Sequence, residues 1–185
     1  MRWDGLFADL EAQAEALSNA ERGAEIDDRT RSETSRLRLI DRLVPAVGST
    51  LRLRCAGGLS LSGQLRRAHP EWLLLDEAAG REVLVAATAV RWVAGLGRMS
   101  EVPAGESVVR SRLGLRYALR TVARDRSSLR MHLADASVLD GTLDRIGADF
   151  VELAAHAAGE TRRRGEVREV LTVPIDAMVA LRRDR

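Results

Sequence analysis

Four arginines, Arg112, Arg116, Arg120 and Arg124, follow one another at four-residue steps, flanked by Arg110 and Arg126. On a helix each such step advances about 400°, so the row forms a slowly drifting ribbon along one side. Guanidinium groups grip phosphates in a two-pronged fork. This row and the run Arg162-Arg163-Arg164 are therefore the candidate nucleic-acid-binding residues. All 29 basic residues are arginine, against 27 acidic ones, for a net charge of +2. GC-rich coding would leave the same arginine bias. The row is also what a solvated helix face opposite Leu115, Leu119 and Val122 would look like, paired with acidic residues near the N-terminus. Only Tyr117 lies close enough to stack a base.

Other chemistry is sparse. His69, His132 and His156 have no metal-ligand spacing with one another or with Cys55, so no metal is expected. His69 falls in a turn and His132 at an outward strand position, which predicts solvated rings. Cys55, the one cysteine, has no intrachain partner and takes an inward strand position, the place of a small buried hydrophobe. The stretch Gly58-Leu59-Ser60-Leu61-Ser62 lacks the second glycine of a nucleophile elbow. Gly95-x-Gly97 lacks the third glycine of a dinucleotide loop and has no helix close behind it, and there is no P-loop. Acidic residues are scattered. No catalytic residue and no cofactor are expected, and the chain reads as a non-enzyme.

The elements that would carry these residues are written twice. LRLRCAGGLSLSGQLRRAHPEWLLL returns as LRMHLADASVLDGTLDRIGADFVEL, pairing Leu51/Leu129, Leu53/Met131, Gly63/Gly141, Leu65/Leu143, Trp72/Phe150 and Leu75/Leu153 at one spacing of 78 residues. EVLVAATAVRWV returns as VLTVPIDAMVAL at a spacing of 88, pairing Val83/Leu171, Val85/Val173, Val90/Met178 and Val93/Leu181. The second copy thus holds ten extra residues in one loop before Leu171. A repeat of this length has to be found first, because it decides the fold. Alternation of apolar and polar residues at Leu51, Leu53, Cys55, Leu61, Gly63 and Leu65 predicts half-buried strands. Further short strands follow at 72–75, 82–86 and 89–93, separated by tight turns. Each copy then reads as five short strands, the pattern of a small barrel. Helices are expected before each copy, over 37–44 and 113–126.

At the N-terminus Trp3, Phe7, Leu10, Ala14 and Leu17 form an apolar stripe against Asp4, Asp9, Glu11 and Glu15, an amphipathic helix that must cover something. Asp27 or Asp28 would cap the next helix. The expected organisation is an N-terminal helix over 1–30, a first helix-plus-barrel over 31–94, a linker over 95–110 and a second helix-plus-barrel over 111–183. The fold class is α+β, mainly β. Charged residues at 30% and hydrophobics at 45% fit a soluble globular protein. No apolar run reaches the roughly 20 residues of a membrane span. The opening Met-Arg-Trp-Asp-Gly is unlike a signal peptide, so a cytoplasmic location is expected.

A helix followed by five bent strands with Gly-x-Leu early in the second resembles the Sm/LSm family of small barrels. The residues that carry it are Gly63-x-Leu65 with Leu75 and 85–90, and Gly141-x-Leu143 with Leu153 and 173–178. Glycine suits the sharp bend of that strand. An SH3-like or PRC-barrel unit is the alternative. The resemblance implies RNA contact through an Asp/Asn pair and an Arg-Gly, but by position these fall on His69, Leu73 and Ala86-Ala87, and on Gly147, Val151 and Pro174-Ile175. None matches. It also implies that neighbouring barrels join by their edge strands.

Two functions follow from this. One is a non-catalytic interaction or assembly protein working through barrel edges and the N-terminal helix. It would be a homo-oligomer, most simply a dimer, burying Trp3, Phe7, Leu10 and Leu17, with a protein as a further partner and no membrane. The other is an RNA- or DNA-binding regulator using the arginine ribbon.

Overall fold

The computed structural model describes residues 32, 34–97, 99–100, 113–156 and 169–183. The N-terminal stripe of Trp3, Phe7, Leu10 and Leu17, the capping residues Asp27 and Asp28, Arg112 and Arg162-Arg163-Arg164 lie outside the described residues, as does most of the expected linker. Residues 32 and 34–36 hold a helical turn, and Leu37 N donates to Thr34 O at 3.1 Å. From Leu39 onward the described residues form one compact unit.

The strands of the first copy are β1 (Thr50–Cys55), β2 (Ser60–Ala68), β3 (Trp72–Glu77), β4 (Arg81–Ala86) and β5 (Val90–Ala94). Those of the second are β6 (Leu129–Leu133), β7 (Val138–Ile146), β8 (Phe150–Ala155), β9 (Glu169–Pro174) and β10 (Met178–Arg183). All ten form one antiparallel sheet in the order β5-β1-β2-β3-β4-β10-β6-β7-β8-β9. The order within each half is the same, and so is the register. Leu51 faces Gly63 as Leu129 faces Gly141, and Leu65 faces Leu75 as Leu143 faces Leu153. Leu73 faces Val85 as Val151 faces Val173. Both spacings of the sequence repeat are therefore spacings of the structure. Even the irregularities recur: a bulge after Leu65 is matched after Leu143, each adding bend to a nine-residue strand.

Glycine is required at Gly63 and Gly141 by close approach of a neighbouring strand. A Cβ there would meet the carbonyl oxygen of Asp76 at 2.3 Å and of Ala154 at 2.4 Å, at equivalent points of the two halves. The alternating residues build one continuous core, with Leu51, Leu53, Leu65, Leu73 and Leu75 matched by Leu129, Met131, Leu143, Val151 and Leu153. Burial of side chains of this size is worth about 1.5–3 kcal/mol each before entropy is counted.

The helices differ more than the strands. α1 (Leu39–Leu43) is short and tightens into a 3-10 turn at Val44–Ala46. Pro45 lies inside that turn, where the expected helix closes, and the helix begins at Leu39 instead of residue 37. α2 (Leu115–Asp125) has Ala123 where α1 has Pro45, runs eleven residues, and buries Leu115 and Leu119. It packs on β7.

Candidate functional site: seam, edges and arginine faces

The two halves meet where β4 pairs with β10, through Val85↔Ala180, Leu84↔Leu181 and Val83↔Arg182. Facing residues of paired strands share a side of the sheet. Side chains lining the inside of the first half, Val83 and Val85, therefore share a side with Arg182 and Ala180 from the outside of the second. This explains why Ala180 is fully buried and Arg182 only a fifth exposed on its side chain. Arg182 meets Glu77, whose side chain is 10% exposed: Nη2 donates to Oε1 at 3.0 Å, and Nε lies 3.0 Å from Oε2 off the hydrogen-bond axis. Next to it Arg130 Nε donates to Asp140 at 2.8 Å. His132, on β6 opposite Ala180, is half-buried, and its Nε2 is out of water with no hydrogen-bond partner. Its pKa is lowered by burial first, then by Arg182 and Arg130, with Asp140 and Glu77 pulling the other way.

A second clasp links the halves. Glu71, in the turn before β3, accepts from Leu115 N at 2.6 Å and so caps α2 from the other half. A carboxylate there satisfies a free N–H and faces the positive end of the helix. Trp72 Nε1 donates to Leu113 O at 2.8 Å. Between α2 and the outer faces of β3 and β4 lies a cleft of about 520 Å³, lined by Trp72, Leu74, Leu84, Tyr117, Val122 and Leu181 and rimmed by Arg67, Glu82 and Arg183.

Of the predicted ribbon, Arg116, Arg120 and Arg124 are described, and all three are exposed on α2. Arg116 reaches the Ala148 carbonyl at 3.4 Å. Arg120 and Arg124 have no ion pair or hydrogen bond among the described residues. The expectation of solvated histidines is corrected. His69 is 7% exposed, accepts from Glu71 N at 3.1 Å on Nδ1, and stacks on Trp72 at 5.6 Å. His156 is 5% exposed and shares a 2.8 Å hydrogen bond with Thr142 Oγ1. These rings fill turn and edge positions that periodicity does not classify. Cys55 is buried as expected; burial pushes its thiol up, against the opposing pull of Arg91 and Arg54 nearby. Among the described residues no three His, Cys, Asp or Glu side chains form a group that could hold a metal ion, and no helix is long and apolar enough to cross a membrane.

Sequence reasoning missed Glu71, Glu77, Trp92 and Arg182. Trp92 stands on β5, an outermost strand of the sheet, 51% exposed. No protein-family model matches this chain, and comparison with curated proteins gives no match.

Proposed function

We propose that this chain is a non-catalytic, cofactor-free interaction protein of the cytoplasm, built of two Sm-like five-stranded barrels that associate through strand edges. The observation that supports it is the β4·β10 seam, where the last strand of one half is already paired with an outer strand of the other. Two edges, β5 and β9, have one neighbour each among the described residues. An open edge is a template for another strand.

The partner proposed is a second copy joined β9 to β9, giving an isologous dimer. Joining β9 to β5 of the next chain would repeat the seam's geometry without its side chains. Ala155 stands where the seam has Glu77, Ala94 where it has Arg182, and the Trp92 indole where it has the buried methyl of Ala180. On β9, Val170 is 51% exposed. Light scattering on the full chain tests this. A dimer is expected at concentrations on the order of tens of micromolar, and Thr172→Pro, which removes an edge N–H, turns it monomeric. A wild-type monomer at that concentration overturns it.

A second reading, nucleic-acid binding by the α2 ribbon, is favoured by Arg120 and Arg124 standing exposed without partners among the described residues. Its test is Arg116→Glu with Arg120→Glu, which then weakens binding of RNA or DNA at unchanged melting temperature.

A further inference from the structure

The outer face of β5-β1-β2 differs in kind from the matching face of the second half. Its rows are set by register: Trp92 beside Arg54 beside Ser60, then Ala94 beside Arg52 beside Ser62. Arg52, Arg54, Ser60, Ser62 and Trp92 are all exposed. Arg54 Nη1 donates to Ser60 Oγ at 2.6 Å, which draws its guanidinium across the face toward β2, leaving the Trp92 indole on the other side of β1 uncovered by it. Arg91 is exposed beside them and reaches only the Thr88 carbonyl at 3.3 Å.

In the second half the same positions are neutralised or covered. Asp140 takes the place of Ser62 and pairs with Arg130, and Ala180 replaces Trp92. Val179, which replaces Arg91, is 1% exposed. There the seam covers the positions on β10, Val179 and Ala180. No carboxylate stands on the first-half rows, and Arg52 has no partner among the described residues. A half-exposed indole on an outermost strand and three exposed arginines stand there with no carboxylate paired to them among the described residues. Bases stack on such a face whatever their identity, and phosphates supply the charge the arginines lack. A second copy docked here in the seam's manner meets Trp92 where the seam has a methyl and finds no carboxylate at Ala155, so charge and shape both favour the nucleic acid.

We propose that the outer face of β5-β1-β2 binds single-stranded nucleic acid, an unpaired base stacking on Trp92 while Arg52, Arg54 and Arg91 hold flanking phosphates. This site is distinct from the α2 ribbon and does not depend on dimer formation.

Fluorescence anisotropy of the full chain with labelled oligo(U) and oligo(dT) of about 12 nucleotides, within the site sizes such barrels show, tests it. Trp92→Ala weakens binding by roughly 5- to 150-fold, the span of one stacked base, and Trp92→Phe restores most of it. Arg52→Glu with Arg54→Glu lowers the salt slope of log K by about 0.7 for each phosphate no longer neutralised. These two are exposed, so that variant decides the matter even if Trp92→Ala fails to fold. Arg116→Glu with Arg120→Glu separates the two surfaces: loss of binding in that variant with none lost in the Arg52/Arg54 variant overturns the β5-β1-β2 site. Equal binding of both oligonucleotides, or binding of oligo(U) alone, supports the site and tells whether the 2′-hydroxyl is read. The proposal is overturned if neither oligonucleotide binds at about 50 mM salt in the tens-of-micromolar range. It is also overturned if the Arg52/Arg54 variant binds as wild type, or if the β5 substitutions alter self-association and not oligonucleotide binding.

Discussion

The seam and the open edges are made from the same strands in the same register, yet one is joined and the others are not. Among the positions that differ are Glu77 against Ala155, Arg182 against Ala94, and Ala180 against Trp92. Backbone pairing makes any edge adhesive, so specificity has to come from side chains that reward one junction and obstruct another. The ion pair does the first and the indole does the second.

Removing Arg182 is the strongest way to break this contrast. Arg182→Ala strands the Glu77 carboxylate, and is expected to cost about 2–4 kcal/mol in urea unfolding, below a fully buried pair because water reaches the guanidinium. Exchanging the charges, Glu77→Arg with Arg182→Glu, recovers part of the loss. A cost for Arg182→Ala under about 0.5 kcal/mol would show that the backbone ladder and apolar packing hold the seam without help from charge.

A smaller effect sharpens the comparison at the clasp. Glu71→Ala removes the α2 cap and is expected to cost about 1 kcal/mol. Asp149 occupies the matching turn; its carbonyl accepts from Ile175 N at 2.8 Å as that of Glu71 accepts from Ala87 N at 2.9 Å. Its carboxylate meets no helix start among the described residues, so Asp149→Ala is expected to fall within about 0.5 kcal/mol of wild type. Equal costs for the two would remove Glu71's cap as the cause.

The smallest effect is a pH dependence confined to the second half. The folded-state pKa of His132 lies below the ordinary value of about 6.5, so between the two the unfolded chain binds the extra proton. Stability from this group is full above about 6.5 and falls as pH drops below it towards the folded-state pKa. Melting temperatures of wild type and His132→Gln should therefore draw together on acidification from about pH 7.5 to about 5.5. The matching position of the first half holds Arg54 instead of a histidine. Parallel curves would show that the ring gains its proton as easily folded as unfolded.

The strands are legible in the sequence because alternation and a fixed repeat spacing constrain each other: once Leu51 and Leu129 are aligned, the partners of Gly63 and Gly141 follow. α1 starts at Leu39, two residues later than its apolar stripe suggests, and gives way to a 3-10 turn at Val44, next to Pro45. The seam is hidden for a different reason. Glu77 falls at an expected turn and Arg182 near the end of the chain, 105 residues away, and neither has a pattern that names the other. The burial of His69 and His156 leaves no trace in the pattern either, because the turns that enclose them are set by tertiary packing, not by period. The arginine ribbon is exposed where helix geometry put it, but exposure is equally the mark of a solvated face.

The β4·β10 seam has a consequence in time. β10 completes the second half by pairing with β6 and covers the β4 edge in the same step. It is also the last described strand to leave a ribosome. Since chains emerge N-terminus first and at a limited rate, β1 to β5 can collapse while β4 is still bare throughout the synthesis of everything up to Met178. During that interval neighbouring nascent chains on one messenger offer each other the same unpaired edge. Dense translation would therefore favour exchanged β10 strands between chains, and slower initiation would favour strands that return to their own.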